Sequence, residues 1–475
     1  MFNDQRSMTE TICALATAPG GALGIIRISG DKSLEILSRV FSKDITNAKA
    51  NTIHYGHIVI PNDSPTPTTT ASQLSDAVFP HHGEVIDDVL VSVFHAPHSY
   101  TGENSAEISC HGSQYILNKV LELLVQNGCR IAQPGEYTMR AYLNGKMDLS
   151  QAEAVADLIA SSNAATHHLA ISQLRGGISS ELSHLREKLL KLTSLLELEL
   201  DFSDHEELEF ADRKELEILT KEIDKRITTL AHSFEVGLAI KQGIPVAIVG
   251  KTNVGKSTLL NALLKDDRAI VSDIHGTTRD TIEDTIDING ITFRFIDTAG
   301  IRQTSDKVEQ IGIERTYAAI EKARIILWVI DKKPSQEELN KMCLYAEDKK
   351  LIVLRNKIDK SENKPFTLVK IPLIEISAKH RQGLSDLEQA IFQAADIHAT
   401  SDSEVIITNA RHYDALTRAH SHLHRVLAGM KQNISGDLLA EDLRLTIDTL
   451  SEITGGQITP NEVLGNIFKN FCVGK

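Results

Sequence analysis

The sequence has few cysteines and no long apolar segment. The cysteines number five in 475 residues, and they are Cys13, Cys110, Cys129, Cys343 and Cys472. No CxxC spacing occurs among them, so they indicate neither a zinc site nor a disulfide framework. No stretch approaches the ~18 apolar residues of a membrane helix, and Pro19, Gly20 and Gly21 interrupt the N-terminal segment. We therefore expect a protein of the reducing cytoplasm without a membrane segment.

Basic residues are also in short supply. The chain carries 50 Lys and Arg against 64 Asp and Glu, which gives a formal net charge of −14. Proteins that coat nucleic acid are usually basic, so this balance argues against that class. It leaves room for a local basic groove, or for a partner that supplies the positive charge. The length allows about two to four domains.

The clearest motif is a phosphate-binding loop. An apolar run at 246–249 predicts a buried strand and leads directly into Gly250-x-x-x-x-Gly255-Lys256-Ser257, after which leucines repeat at helical spacing. Strand, glycine-rich loop and helix are the context that a P-loop requires. The loop N–H groups and the helix N-terminus then point at one anion. We predict that Lys256 contacts the β- and γ-phosphates and that Ser257 binds Mg²⁺.

Three further motifs follow predicted strands, in the order that a guanine-nucleotide domain requires. Asp297-Thr-Ala-Gly300 can reach Mg²⁺ through water. The carboxylate of Asp359, in Asn356-Lys-Ile-Asp359, can accept two N–H bonds from guanine that adenine cannot offer. Ser377-Ala-Lys379 closes the base pocket, at the strand ends where open α/β sheets bind ligands. The predicted GTP-binding residues are Asn253, Val254, Gly255, Lys256, Ser257, Thr258, Ser272, Asp273, Ile274, His275, Gly276, Thr277, Thr278, Asp297, Thr298, Ala299, Gly300, Asn356, Lys357, Asp359, Ser377, Ala378 and Lys379.

The residue that orients the attacking water is less clearly marked. Ras-like enzymes place a glutamine after the Asp-x-x-Gly motif for that purpose, whereas this chain has Ile301, which cannot do so. Arg302 follows, and a cation positions water poorly. Glu309 and Glu314, further downstream, can both accept a hydrogen bond from water. The residues alone do not choose between them.

The segment 272–280 predicts the first switch of the GTPase. Thr278 can coordinate Mg²⁺ beside Ser257 once the γ-phosphate is present. Asn253 adds an acceptor oxygen near the phosphates, and backbone carbonyls around 272–277 can complete an oxygen cage for a monovalent cation. Such an ion would supply positive charge where other GTPases use an arginine finger.

The regions on either side of these motifs predict two other domains. Residues 1–150 mix short strands, as at 24–30 and 89–94, with a helix at 117–125 and an exposed loop insertion at about 61–83. Its polar candidates for a site are Arg27, Glu107, His111, Arg140 and Lys146. A surface charge or a satisfied core partner is the competing interpretation for each.

Apolar residues at helical spacing dominate the rest of the chain. One seam consists of Ile178, Leu182, Leu185, Leu189, Leu192 and Leu196, and a later one of Leu438, Leu439, Leu443, Ile447 and Leu450. Because the seams lie on both sides of the nucleotide motifs, we predict one helical domain with the GTPase inserted into it. The predicted fold class is multidomain, with an N-terminal α/β (α+β) domain at 1–147, an all-α domain at 148–242 plus 401–475, and an inserted α/β Ras-like P-loop GTPase domain at 243–400.

Motifs along the whole chain also carry a family resemblance. They are Gly24-Ile-Ile-Arg-Ile-Ser-Gly30, Thr101-Gly-Glu103, Pro134-Gly-Glu136, Asn144-Gly-Lys-Met-Asp-Leu149, Gln151-Ala-Glu153, Asp297-Thr-Ala-Gly-Ile-Arg302, Leu450-Ser-Glu-Ile-Thr-Gly455 and Cys472-Val-Gly-Lys475. Through them the chain resembles the MnmE (TrmE) family of tRNA-modification GTPases, within the TrmE-Era-EngA-YihA-septin-like superfamily. The terminal motif is the most diagnostic, since ordinary GTPases lack it.

The resemblance implies a homodimer built through an N-terminal domain that binds 5-formyl- or 5,10-methylene-tetrahydrofolate. With the FAD-dependent partner MnmG (GidA), in a heterotetramer or a larger assembly, such proteins install a carboxymethylaminomethyl or aminomethyl group at C5 of wobble uridine 34 of tRNA. Their GTP hydrolysis needs Mg²⁺ and is stimulated by K⁺ when two GTPase domains pair, and it drives a conformational change.

The resemblance also implies roles residue by residue. Ser257 and Thr278 would hold Mg²⁺, and Glu309 would orient the water, which places it above Glu314. The implied potassium ligands are Asn253, Ser272, Ile274 and Thr277. The implied folate contacts are Arg27, Glu107, Lys146 and Lys475. Cys472 is a candidate for chemistry in the family, although a thiol that only packs is the favoured role.

Two departures and two alternatives stand beside this interpretation. Lys251-Thr252 replaces the Arg-Pro expected in the loop, and the insertion at about 61–83 can alter access to the folate site. A ribosome-assembly GTPase of the Era or Der type would share the switch chemistry, but it would attach a KH-like RNA-binding module after the GTPase. A nucleotide-gated dimerisation scaffold would bind GTP without turning it over.

Overall fold

The computed structural model describes residues 10–61, 83–201, 213–264, 284–296, 318–360, 371–396, 405–432, 434–456, 467, 468, 471 and 474. The chain divides into two compact units. The first comprises Met1–Ala156, Gln173–Leu182 and Leu450–Lys475, and the second comprises Asp157–Ser172 and Ser183–Thr449.

A six-stranded sheet is the centre of the first unit. Its strands are β1 (Ile12–Leu15), β2 (Leu23–Ser29), β3 (Thr52–Pro61), β4 (Gly83–Phe94), β5 (Ser105–His111) and β6 (Arg130–Ile131), and its helices are α1 (Ser33–Val40), α2 (Gln114–Gln126) and α3 (Glu136–Leu143). The strand order is β3-β4-β5-β2-β1-β6, antiparallel except for β1 and β6. Ile26 and Ile28 alternate along β2 into a core shared with Leu37 of α1 and Leu117 of α2. The strands predicted at 24–30 and 89–94 and the helix at 117–125 are confirmed, with shifted ends.

The next part of the chain is helical, as predicted. Its helices are α4 (Leu149–Ala160), α5 (Ala164–Leu174), α6 (Gly177–Asp201) and α7 (Arg213–Gln242). All six apolar residues of the predicted seam on α6 are buried, from Ile178 to Leu196. Leu216, Ile223, Ile227 and Leu230 are buried along α7. Spacings of three and four residues keep such side chains on one face of a helix.

A second six-stranded sheet follows α7 after the single residue Gly243. Its strands are β7 (Ile244–Val249), β8 (Asp284–Ile288), β9 (Ile291–Phe295), β10 (Ile325–Ile330), β11 (Lys350–Arg355) and β12 (Leu373–Glu375), with helices α8 (Lys256–Leu264), α9 (Gln336–Tyr345) and α10 (Leu384–Ala394). The order is β12-β11-β10-β7-β9-β8, and only β8 runs antiparallel to its neighbour. Strand β10 is buried at every residue and packs alternately into two hydrophobic clusters, because both faces of a parallel sheet are covered. We did not predict this strand from the sequence.

Two further helices follow the second sheet, α11 (Ala410–Lys431) and α12 (Gly436–Thr454). Helix α11 runs antiparallel to α7, since Phe234 stacks on Tyr413 at 4.7 Å near one end and Asp224 contacts His420 further along. Leu438 lies in α12, as the helical spacing predicts, but the residue is 60% exposed and does not belong to the buried face. Leu439 lies on the buried face instead, one turn before Leu443. None of the described helices combines the length and the hydropathy that a bilayer span requires.

Gly237 allows the chain to approach α7 closely just before α11. A Cβ added at Gly237 would lie 2.1 Å from the carbonyl oxygen of Ile407. The same segment is fixed by a hydrogen bond from the Ile407 N–H to Ser233 Oγ at 3.0 Å. The Ile407 carbonyl belongs to the backbone, and its residue is held by the hydrogen bond to Ser233. It therefore cannot move away from an added Cβ at low energetic cost.

We expect Gly237→Ala to destabilise the helical part of the protein, against the normal trend. Alanine in a helix interior usually stabilises by about 1 kcal/mol relative to glycine, whereas forcing an atom into a filled space costs about 1–3 kcal/mol. Thermal unfolding followed by far-UV circular dichroism should show a transition lowered by about 2–4 °C.

Gly429→Ala is the matched control, because the added Cβ would come closest to the end of the Leu439 side chain, at 2.6 Å, and not to a backbone atom. This control should unfold close to the temperature of the unsubstituted protein. A Gly237→Ala variant that is as stable as the control would contradict the close approach.

Candidate nucleotide-binding site

The loop between β7 and α8 requires its two glycines. Gly250 and Gly255 have φ angles of 150° and 99°, a region that favours glycine. A Cβ at Gly250 would lie 2.3 Å from the Val329 carbonyl oxygen, and one at Gly255 would lie 2.3 Å from Asn356 Nδ2. The loop can therefore keep this conformation, packed against Val329 and Asn356, only while both positions lack a side chain.

Lys256 begins α8 and folds back over this loop. Its Nζ donates to the carbonyl oxygens of Gly250 at 2.7 Å and Lys251 at 2.9 Å. Burial lowers the pKa of Lys256 from its ordinary value. The ammonium group is thus held at the loop by two carbonyl groups, where a phosphate would add the opposite charge.

Asn356 connects the phosphate loop to the base-binding loops. Its side chain is buried after β11, where Nδ2 donates to the Val254 carbonyl at 2.8 Å and Oδ1 accepts from the Ala378 N–H at 3.0 Å. One amide side chain therefore fixes the distance between the loops after β7, β11 and β12.

Lys357 adds a second connection. Its backbone is left-handed, with φ of 66°, a conformation that a non-glycine residue keeps only where the surroundings hold it. Its Nζ donates to the Asn253 carbonyl and lies 3.3 Å from Asp331 Oδ2. Asp331 follows β10 directly and was missed from the sequence, although its position after an apolar run was a usable signal.

Asp359 presents an ionised carboxylate at the strand ends. The hydroxyl of Ser377 donates to Oδ1 at 2.7 Å, and this hydrogen bond lowers the pKa of Asp359. Oδ2 lies 3.9 Å from His380 Nε2. A carboxylate in this position can accept a pair of N–H bonds from one planar base.

The structure brings together the predicted residues of three loops. Asn253, Val254, Gly255, Lys256, Ser257 and Thr258 lie on the phosphate loop and the first turn of α8, Asn356, Lys357 and Asp359 follow β11, and Ser377, Ala378 and Lys379 follow β12. The remaining predicted residues lie outside the described part of the chain. These are Ser272, Asp273, Ile274, His275, Gly276, Thr277, Thr278, Asp297, Thr298, Ala299, Gly300 and Glu309.

The first unit holds a separate polar site around Arg27. Arg27 on β2 and Glu107 on β5 are register partners, and Arg27 Nε and Nη2 donate to Glu107 Oε1 at 2.9 and 2.7 Å. The guanidinium carbon lies 5.5 Å from the ring centre of Tyr100 and 5.6 Å from that of Tyr137. Arg27 Nη1 also donates to the Gly474 carbonyl at 3.1 Å, which attaches the C-terminal segment to the sheet.

A cavity of about 80 Å³ opens beside this group. It is lined by Arg27, Phe94, Tyr100, Thr101, Ser105 and Glu107. Burial raises the pKa of Tyr100, so its hydroxyl stays protonated. The arrangement offers an aromatic face, a cation and a carboxylate to one ligand.

The other sequence candidates of the first unit have varied places. Lys146 donates from Nζ to the Pro97 carbonyl at 2.9 Å and is not among the described residues that line the cavity. His111 pairs through Nδ1 with Asp87 Oδ1 at 2.7 Å. Lys475 and Cys472 lie outside the described residues.

Arg140 belongs to a buried ion network that we did not predict. It pairs with Glu103 at 3.1 Å and with Glu136 at 2.9 Å, and Glu136 also pairs with Arg130 at 2.6 Å. Burial acts to raise the pKa of Glu136, but the hydrogen bonds from Arg130 and the Gln133 N–H, together with the charges of Arg140 and Arg130, outweigh burial and lower that pKa. Its partners come from separate parts of the chain, and the network holds the first unit together.

Comparison with known proteins places this chain in a family. The family model for the MnmE helical domain matches residues 149–472, and the model for the GTP-binding protein TrmE N-terminus matches residues 11–146. Three relatives carry the name tRNA modification GTPase MnmE. The protein from Phocaeicola vulgatus is 56% identical over 98% of this chain and 99% of its own, that from Bacteroides thetaiotaomicron is 52% identical over 98% and 99%, and that from Flavobacterium psychrophilum is 47% identical over 98% and 99%.

These matches confirm the resemblance predicted from the sequence and its multidomain organisation, while folate binding stays a prediction. They agree with the glycine loop, the buried Asn356 bridge and the ionised Asp359, which together suit a guanine nucleotide. The chain is a GTP hydrolase that acts in tRNA modification, and it belongs to the MnmE (TrmE) family.

Proposed function

We propose that the chain is a potassium-activated GTPase that works with the FAD-dependent MnmG (GidA) to install a carboxymethylaminomethyl or aminomethyl group at C5 of wobble uridine 34 of tRNA. The observation that carries the GTPase half is the Asn356 bridge, which connects the phosphate loop to the loop after β12 through two buried hydrogen bonds. The tRNA half is supported by relatives that cover the chain from end to end.

The residues of the phosphate loop fit a nucleotide with its metal ion. Gly250 and Gly255 hold the positive φ angles that curl the loop, and Lys256 and Ser257 follow them at the start of α8. We assign Mg²⁺ to Ser257 and Thr278, where it would neutralise charge on the phosphate oxygens. Lys256 then orients the phosphates, and the helix N-terminus of α8 adds its N–H groups.

Potassium is assigned to Asn253 together with Ser272, Ile274 and Thr277. Asn253 has a left-handed backbone, with φ of 64°, and its carbonyl is held by Lys357. Residues outside the described range would complete the ligand set when two GTPase domains pair. Potassium would supply the positive charge that an arginine finger gives elsewhere, and Glu309 is assigned to orient the water.

The Arg27 site is assigned to a tetrahydrofolate, with Glu107, Lys146 and Lys475 as further contacts. Glu107 accepts N–H donors of the kind that a pterin ring carries, the Tyr100 ring offers a stacking face, and the basic groups suit a glutamate tail. The cavity of about 80 Å³ holds only part of such a ligand. We assign Cys472 a packing role, and we assign homodimerisation to this N-terminal domain.

The segments after the GTPase favour this proposal over a ribosome-assembly enzyme. Among the described residues, α11 and α12 follow the second sheet, where the alternative would place a KH-like module. The scaffold alternative predicts GTP binding without repeated turnover, so the turnover measurement described next also tests it.

The first experiment is GTP turnover by the purified chain in potassium and sodium buffers of equal ionic strength. We expect potassium to raise the turnover by at least ~10-fold, because it places charge at the developing transition state. Asn253→Ala should lose this activation while it still binds GTP. Lys251→Ala is the control, since that side chain pairs with Glu338 on α9.

Equal rates in the two salts would remove the potassium ligands from the proposal and leave the family assignment in place. GTP binding without repeated turnover in either salt would favour the scaffold.

Asp359→Asn should change the base preference. The amide can no longer accept both guanine N–H groups, but it can donate to the extra carbonyl of xanthine. Because two hydrogen bonds to a charged group are lost, GTP affinity should fall by at least ~100-fold, and xanthosine triphosphate should become the better ligand. Fluorescent-nucleotide competition measures both, with Asp386→Asn on α10 as an exposed control. Retained GTP preference would contradict the assigned pocket.

Arg27→Gln should weaken tetrahydrofolate binding by at least ~10-fold, a loss of about 1.4 kcal/mol, and leave GTP turnover unchanged. Glutamine keeps a polar group but loses the charge and the forked contact with Glu107. Calorimetric titration with 5-formyl-tetrahydrofolate gives the affinity. Arg39→Gln is the control, because Arg39 is half exposed, contacts Glu35 and the Asn127 carbonyl, and does not line the cavity. Equal folate affinity in both variants would place the ligand elsewhere.

A further inference from the structure

Three side chains that can serve as metal ligands meet between α7 and α11, and none of them belongs to the two sites described above. Asp224 lies on α7, and His420 and His424 lie one helical turn apart on α11. Asp224 Oδ1 is 2.6 Å from His420 Nδ1, and the two imidazole rings lie 4.6 Å apart in an edge-on arrangement. One potential ligand atom of each residue lies within 4.8 Å of the other two.

We propose that Asp224, His420 and His424 bind one divalent transition-metal ion, with Zn²⁺ as the best match. Imidazole nitrogen and carboxylate oxygen are the ligands that zinc takes in proteins, and imidazole disfavours Mg²⁺ and Ca²⁺. Three protein ligands with a water molecule complete a tetrahedral shell. A plain ion pair needs only Asp224 and His420, so it gives no role to the second histidine.

The three ligand atoms are close enough for such an ion to bind after small movements of the side chains. Zinc bonds of about 2.0–2.1 Å in a tetrahedral shell place neighbouring ligand atoms roughly 3.3 Å apart. The 2.6 Å contact between Asp224 and His420 would open and the longer separations would close, each by side-chain rotation. The ion would take the place of the direct contact between the carboxylate and the imidazole.

The position of the site gives it a structural consequence. Helix α7 leads through Gly243 directly into β7, and α11 begins after the last strand of the same sheet. Asp224 and the histidines therefore connect the helix that enters the GTPase sheet with the helix that leaves it. Metal binding would fix these two helices to each other, and it would stabilise the folded chain without touching the nucleotide residues.

Cobalt(II) titration of the full-length, tag-free, chelator-treated protein tests the proposal in the absence of nucleotide. We expect one Co²⁺ per chain, intense visible d–d bands typical of a tetrahedral site, and displacement by Zn²⁺. Thermal unfolding should shift upward with Zn²⁺. A thiolate-to-cobalt charge-transfer band in the near ultraviolet would locate the ion at a cysteine, such as the exposed Cys343, and would overturn the proposal.

His424→Ala is the decisive variant, because it removes one ligand and leaves the Asp224–His420 contact in place. It should weaken Co²⁺ binding by at least ~10-fold, remove the Zn²⁺-dependent thermal shift, and unfold normally without metal. His184→Ala is the control, since His184 is an exposed histidine on α6 with a side chain 71% accessible. Undiminished binding by His424→Ala, or the absence of binding to the unsubstituted protein, would refute the site.

Discussion

The buried amide of Asn356 is the interaction on which the nucleotide site depends. A parallel sheet brings the carboxyl ends of β7, β11 and β12 to one edge, but the loops that leave those ends have no ladder to hold them. Asn356 spans the gap with one donor and one acceptor, both buried, so losing either partner leaves a polar group without compensation. Gly255 has no side chain because this amide occupies the adjacent space.

Contacts between residues far apart in the sequence also hold the two helices next to the second sheet. Helix α7 leads into β7, and α11 begins after the last strand of the same sheet and runs back beside α7. The two helices therefore form an antiparallel pair where the chain enters and leaves the sheet. The pair is held by the Phe234–Tyr413 stack, by the backbone contact at Gly237, and by Asp224 with His420. These contacts fix the two helices to each other at the point where the chain enters and leaves the second sheet.

The sequence predicts best where chemistry is local. The phosphate loop, the motif that ends at Asp359 and the α6 seam each lie within a short stretch of sequence. The spacing of residues inside each stretch is therefore enough to predict its structure. Partners that lie far apart in the chain escape this reasoning. Arg140 contacts Glu103 across 37 residues, and Arg27 reaches Gly474 across 447. Strand β10 was missed for another reason. An unbroken apolar run has no periodicity that would distinguish a strand from a buried helix.

The metal site shows how far such reasoning extends. The cysteine spacing argued only against metal sites built from thiolates. Two histidines four residues apart do not predict a metal site until a third ligand is known. That ligand, Asp224, lies 196 residues before His420, and the strands of the second sheet lie between them in the sequence. Only the antiparallel pairing of α7 and α11 brings it near. The second sheet therefore separates in sequence two helices that pack together in space, and side-chain contacts between α7 and α11 connect them.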